Sequence, residues 1–192
     1  MTFQRLVEPP ARAPLLLRPL LWLARRITGK DPLPGRLLAW FPRGAVGVGI
    51  FEATAAGAPG DLDGRSLAAA RIVASAVAGC PFCLDMNAAT WRRAGLTANE
   101  LEALVNARME ALTAMGPRVE AAARYADALS RTPVVVPAEV AEQLRRHFSP
   151  REIVVLASTI AQVNFWSRFN QGLGVPSAGF FDESVCRLPA SA

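Results

Sequence analysis

The stretch "ARIVASAVAGCPFCLDMNAATWRRAGLTANELEAL", residues 70–104, holds an apolar run that ends at Gly79, two cysteines three apart (Cys80 and Cys83), and a second helix-stop signal at Gly95. Upstream of the cysteines, "RSLAAARIVASAVA" (65–78) sets Leu67, Ile72, Val73 and Val77 near helical spacing, and Asp63 is available as the cap. Gly79 suits a helix C-terminus and Pro81 the first turn of the next helix, so the cysteines stand at a helix start. Downstream, the pattern predicts one helix running on to Gly95, with Arg92 and Arg93 in a last turn where the dipole favours cations.

Beyond Gly95 the signals remain helical. Thr97-Ala98-Asn99-Glu100 is a capping box in front of Leu101, Leu104 and Val105. "PRVEAAARYADALSR" (117–131) reads as a helix, "TPVVVP" (132–137) as a short extended link, and "PAEVAEQLRRHF" (137–148) as a further helix ending near His147. Ser149-Pro150-Arg151-Glu152 is a second capping box, with proline at the first helical position, and it opens the long apolar helix "EIVVLASTIAQVNFWSRFNQGLG". "TPVVVP" is too short and too proline-bounded to seed a sheet, so the expected class is all-α.

The chain has 192 residues, 52% hydrophobic and 19% charged, which fits a single structural domain with its own core and excludes a disordered chain. Two segments are expected within it: an N-terminal basic helical arm over 1–56, packed on the body, and a helical domain over 57–192 joined to it through the loop "AAGAPGDLDG" (55–64). Residues 1–43 hold eight basic residues against Glu8 and Asp31, which leaves the arm at +6 and the remainder at −1. Clustered arginines suit a nucleic acid or an anionic membrane, but no recognisable nucleic-acid motif accompanies them. The arm is expected instead to pack its leucines on the body and turn its arginines to water. "PLLLRPLLWLARRI" (14–27), broken by Arg18 and Pro19, is too short to span a bilayer and lacks a small-residue cleavage site, so the expectation is no transmembrane segment and a cytoplasmic location.

Three cysteines argue against a secreted disulfide framework, and C-x-x-C spacing points to redox or metal work. A helix N-terminus favours the thiolate, and the spacing brings two sulfurs within reach of a disulfide. Two other readings stay open: cysteines as small buried hydrophobes, and half of a zinc site. Zinc needs two more ligands, and the chain offers His147 and Cys186, singly and far away. No metal and no organic cofactor is expected.

The 70–104 stretch resembles the core of the carboxymuconolactone decarboxylase and alkylhydroperoxidase D-like family, in which a helix ending in Gly is followed by C-x-x-C, a further helix and "AGLT". "REIVVLASTIAQVNFWSRFNQGLGV" (151–175) is similar to the family's C-terminal helix, with Asn164, Trp166, Arg168 and Asn170 in its Asn/Arg-rich pattern. The resemblance implies an all-helical protomer that assembles as a homo-oligomer, a trimer or hexamer or else a dimer. In the peroxidase branch the second cysteine attacks the peroxide and the first resolves it, which implies Cys83 as nucleophile and Cys80 as resolver, served by a reductant protein or small thiol.

The chain departs from the family pattern at both proton-handling positions. The relay histidine four residues after the second cysteine falls on Asn87, and the upstream glutamate falls on Ala68. Asn87 can hydrogen-bond a water or a thiolate but cannot titrate. Asp85 is placed to hold a water or to raise the thiol pKa by like-charge repulsion, or else to serve as a solvated or capping carboxylate. The expected site is thus Cys83, Cys80, Asn87 and Asp85. Three functions fit: a hydroperoxide-reducing thiol oxidoreductase, a decarboxylase acting on a carboxylated lactone, and a non-catalytic binding or assembly protein on the same scaffold.

Overall fold

A computed structural model of the chain describes residues 5–57, 60–182, 184–186 and 188. Its helices are α1 (Arg18–Thr28), α2 (Leu33–Leu38), α3 (Pro42–Ala55), α4 (Gly64–Val77), α5 (Pro81–Ala88), α6 (Ala98–Val105), α7 (Pro117–Ser130), α8 (Ala138–His147) and α9 (Pro150–Gly172), with 3-10 turns at Leu15–Leu17 and Met109–Met115. The described residues contain no strand, and the fold is all-α.

Three helix starts are fixed by their own side chains, as their sequences require. Asp63 accepts from the Ser66 N–H at 2.8 Å, and the Thr97/Glu100 and Ser149/Glu152 capping boxes are both closed. Arg118, near the start of α7, ties three of the helix ends together. Its guanidinium donates to Asp63 (2.8 Å), to Glu152 (2.5 Å) and to the His147 carbonyl, and it lies over the Phe148 ring.

The core forms around α4, which packs against α7 and α9. Ala69, Ala70 and Ala74 of α4 and Ala121, Ala122 and Ala126 of α7 are fully or almost fully buried. Such small side chains let the two backbones approach closely. Ile72, Leu101, Leu104, Leu112, Leu156 and Ile160 fill the surrounding volume.

The helix that begins at the cysteines stops earlier than its sequence predicts. α5 ends at Ala88 rather than continuing to Gly95. The Thr90 hydroxyl donates to the Asn87 carbonyl, and the Trp91 N–H turns to the Ala88 carbonyl in a tighter, three-residue pattern. Past this tightening both Trp91 and Leu96 are buried in the core.

The arm meets the body unevenly. Leu17, Leu37 and Leu38 are buried, but α1 buries none of its residues, and Leu20, Trp22, Leu23 and Ile27 remain exposed. Its end is held firmly: the Gly57 N–H donates to Thr159 Oγ1 at 2.8 Å, and Arg71 donates to the Gly57 carbonyl. A side chain at 57 would meet Val155 Cγ1 at 2.8 Å, so this close approach needs glycine. No helix among the described residues is long and apolar enough to cross a membrane.

Candidate functional site

The turn that presents the cysteines is made by α4. The Cys80 N–H donates to the Ser75 carbonyl and the Gly79 N–H to the Ala76 carbonyl, the paired bonds of a Schellman C-cap, with Gly79 at φ +66° as that motif needs. Ser75 also accepts from Asn87 Nδ2 at 2.9 Å through its hydroxyl, which in turn donates to the Arg71 carbonyl. One buried serine therefore fastens both ends of α5 to α4.

Cys80 occupies the N-cap of α5, where serine or threonine is usual, and its sulfur accepts from the Cys83 N–H at 3.2 Å. Both thiols are free and each is 1% exposed. Cys80 Sγ donates to Cys83 Sγ across 2.7 Å. That hydrogen bond holds the Cys83 thiol below its ordinary value, against burial that pushes it up, and Ser167 and Asn170 pull in the same downward direction. The same bond, together with burial and the neighbouring thiolate, drives the Cys80 thiol well above its ordinary value. Of the two thiols, Cys83 is therefore the one favoured to ionise.

α9 supplies the facing wall. Asn170 is buried, donates to Cys83 Sγ through Nδ2 at 3.5 Å, and leaves its buried Oδ1 without a partner among the described residues. One turn earlier the buried Ser167 hydroxyl, which has no hydrogen-bond partner among the described residues, lies close enough to favour both thiolates. Gln171 donates to the Ala78 carbonyl at 2.9 Å and locks this end of α9 onto the end of α4. Around the sulfurs pack Leu37 of the arm, Phe82, Val175 and, partly buried, Phe180. Phe82 and Phe180 meet edge to face at 5.8 Å.

Asp85 is neither solvated nor a cap. It is 1% exposed, and its Oδ2 accepts from Ser177 Oγ, Ala178 N and Gly179 N while Oδ1 accepts from Phe181 N, all at 2.7–2.9 Å. Both oxygens are taken up in folding the 177–181 segment over the cysteine helix. Asn87 sits on the α4 side of α5, bonded to Ser75.

The other titratable candidates lie apart. His147 closes α8 beside the start of α9, roughly 30 Å along that helix from Asn170 at 1.5 Å per residue. Cys186 packs against the main core and has its thiol pushed up by burial and by Glu102. Asn164 and Arg168 share a face, as spacing requires, and bond to Ser130 and Thr132 respectively. No cluster of three or more His, Cys, Asp or Glu side chains suited to a metal occurs among the described residues.

Between arm and body opens an apolar cavity of about 300 Å³, which neither cysteine lines but which Phe82 and Asn170, both packed at the sulfurs, do. Leu21, Leu38 and Val48 of the arm form one side, and Phe82, Trp166, Asn170 and Phe180 the other. Glu52 of α3 lines it as well, its Oε2 accepting from Trp166 Nε1 at 2.7 Å and Gln162 Nε2 at 2.5 Å. Sequence reasoning passed over Glu52 and Ser167. The available signal was that Glu52 is the one acid between Asp31 and Asp61, inside an otherwise apolar and glycine-rich run.

The chain belongs to the carboxymuconolactone decarboxylase family. A model of that family matches residues 49–128. The chain is 31% identical over 187 residues to the uncharacterized protein YnjA of Escherichia coli (strain K12), covering 95% of this chain and 97% of that one. It is 30% identical over 105 residues to the uncharacterized protein YdfG of Bacillus subtilis (strain 168), covering 54% of this chain and 70% of that one. Among solved structures it is similar in fold to the debrominase Bmp8, crystallised as a cysteine-to-alanine variant in complex with 2,3,4-tribromopyrrole. The TM-score is 0.73 at 21% identity, over 90% of this chain and 91% of that chain.

Proposed function

We propose that the protein is a thiol-dependent oxidoreductase that reduces hydroperoxides through a Cys80–Cys83 dithiol/disulfide couple. The supporting observation is geometric: two free, buried cysteines stand at a helix start with their sulfurs 2.7 Å apart, Cys83 Sγ accepts from Cys80 Sγ and Asn170 Nδ2, and the bond between the sulfurs lowers the Cys83 thiol while raising that of Cys80. The Cys83 thiolate attacks the terminal oxygen of ROOH, forming the S–O bond of a sulfenic acid and breaking O–O; the departing alkoxide takes a proton and leaves as ROH. Cys80 then attacks the sulfenic sulfur, the S–S bond forms, and water leaves with the Cys80 proton. An external dithiol or two monothiols supply two electrons and two protons to restore the pair.

Neither a histidine nor a carboxylate touches the sulfurs among the described residues. Thiolate formation rests on Cys80, Ser167 and Asn170, so the reaction is expected to be slow for its class. The decarboxylase activity in the family's name gains no support from a cavity lined by carboxylates and no cation. A second reading, thiolate attack on a halogenated aromatic, draws on the ligand of the structural neighbour and on the apolar walls of the cavity between arm and body.

The test is stopped-flow reduction of an organic hydroperoxide by the prereduced protein. Cys83→Ser should abolish turnover, and Cys80→Ser should give one turnover and accumulate a sulfenic acid at Cys83 that a dimedone probe traps. Wild-type turnover in both variants overturns the assignment, and bromide release from a bromopyrrole without peroxide turnover selects the second reading.

A further inference from the structure

Cys80 and Cys83 are each 1% exposed, so in this conformation no reagent reaches either sulfur. Two layers seal them. On one side lie Val175, Ala178 and Phe180 of the chain that follows α9; on the other lie Leu33 and Leu37 of the arm, Leu37 itself buried against the cysteines. The two layers are fastened very differently. Asp85 accepts four hydrogen bonds from residues 177–181, and the Val175 N–H donates to the Asn170 carbonyl at 2.9 Å. From residues 5–41 a single hydrogen bond reaches the body among the described residues. It runs from the Leu6 N–H to the Leu173 carbonyl and is long, at 3.4 Å. The ion pairs of this stretch, Arg5–Glu8 and Arg36–Asp31, both stay within it. α1 buries none of its residues, and its Leu21, Ala24 and Thr28 border the cavity between arm and body. The next helix is held far better: α3 is pinned through Glu52, which accepts from Trp166 and Gln162, and through the Ala55 carbonyl, which accepts from Ser158. The weakly held part of the arm therefore ends at the turn between α2 and α3.

From this contrast we infer that residues 5–41 form a lid on the dithiol, which swings out about the turn between α2 and α3 and lifts Leu33 and Leu37 off the cysteines while residues 174–181 stay in place. What holds the lid down is mainly apolar contact, with Leu17 and Leu38 buried against Trp166 and Phe169. The ease of opening is then set by the apolar surface hidden in that contact. Any reaction of Cys83 passes through this opening. The nature of that reaction rests on the thiol chemistry proposed above; the gating does not. Leu17 and Leu38 are not among the residues packed at the sulfurs, so shortening them loosens the lid and leaves the site itself intact.

The test labels the reduced full-length protein with iodoacetamide and follows Cys83 by peptide mass mapping, with the half-buried Cys186 as the internal reference for unfolding. Leu17→Ala should raise the Cys83 rate about tenfold. The midpoint of its pH profile should not move, and the Cys186 rate should not change. Leu38→Ala should do the same, and it carries the test if the first variant does not fold. Ser177→Ala removes one of the bonds from the opposite layer to Asp85 and should alter the Cys83 rate by less than about twofold. The inference is overturned if neither leucine variant speeds labelling, if the gain comes with a shifted pH midpoint or an equal gain at Cys186, or if Ser177→Ala speeds labelling as much. It is equally overturned if the chain folds with neither leucine shortened, because a lid is dispensable to the body it covers. Labelling needs no peroxide, so the lid can fail while the peroxide assay succeeds, and the converse.

Discussion

Two carboxylates, one on the cysteine helix and one lining the cavity, are opposites. Asp85, two residues from Cys83, is sealed in with four hydrogen bonds from the 177–181 segment. Glu52, far from the cysteines in sequence and on the arm side, is exposed where it lines an apolar cavity, with Trp166 and Gln162 donating to it and Arg71 as a charge neighbour. Nearness along the chain selected the first as the chemical candidate; only the second meets solvent. A saturated buried carboxylate holds structure, and an exposed one depends far less on its partners.

Removing Asp85 should break the contrast most visibly. Asp85→Ala leaves four donors without their charged acceptor in a largely buried setting, for a loss of about 3 kcal/mol. In a chain of this size that corresponds to a melting temperature lower by about 10 °C in a thermal scan. An unchanged melting temperature would mean that the 177–181 segment does not depend on this carboxylate.

The thiol between the two walls comes next. Cys83 is held low, so its alkylation by iodoacetamide should persist to lower pH than that of an ordinary thiol and fall off only as the pH drops through its own depressed value. Asn170→Leu removes one of the hydrogen bonds that favour the thiolate and should move that profile to higher pH. A profile that does not move would assign the lowering to Cys80 and Ser167 alone.

The smallest expected effect sharpens the comparison from the other side. Glu52→Gln keeps an acceptor for Trp166 and Gln162 at a solvent-exposed position, and should alter stability by no more than about 0.5 kcal/mol in a denaturant titration. A loss as large as that from Asp85→Ala would show that both carboxylates are structural.

Much of this arrangement is legible in the chain because it is local. Gly79 followed by Pro81 marks the junction that puts the cysteines at a helix start, and the Thr97/Glu100 and Ser149/Glu152 boxes close as their spacing requires. The early stop of α5 escapes periodicity because it is made by Thr90 and Trp91 bonding to carbonyls three residues back, while both apolar patterning and Gly95 favour continuing the helix. Asp85 misleads because three of its four partners are backbone N–H groups, which every residue carries and no motif announces. Glu52 hides for a related reason, since its link to Trp166 joins residues 114 apart in sequence.

The Arg118 guanidinium, which ties the starts of α4 and α9 to the end of α8, has a dynamic consequence. Each of these ends gives up a bond to the same guanidinium when it frays, so removing the Arg118 side chain is expected to loosen all three termini at once.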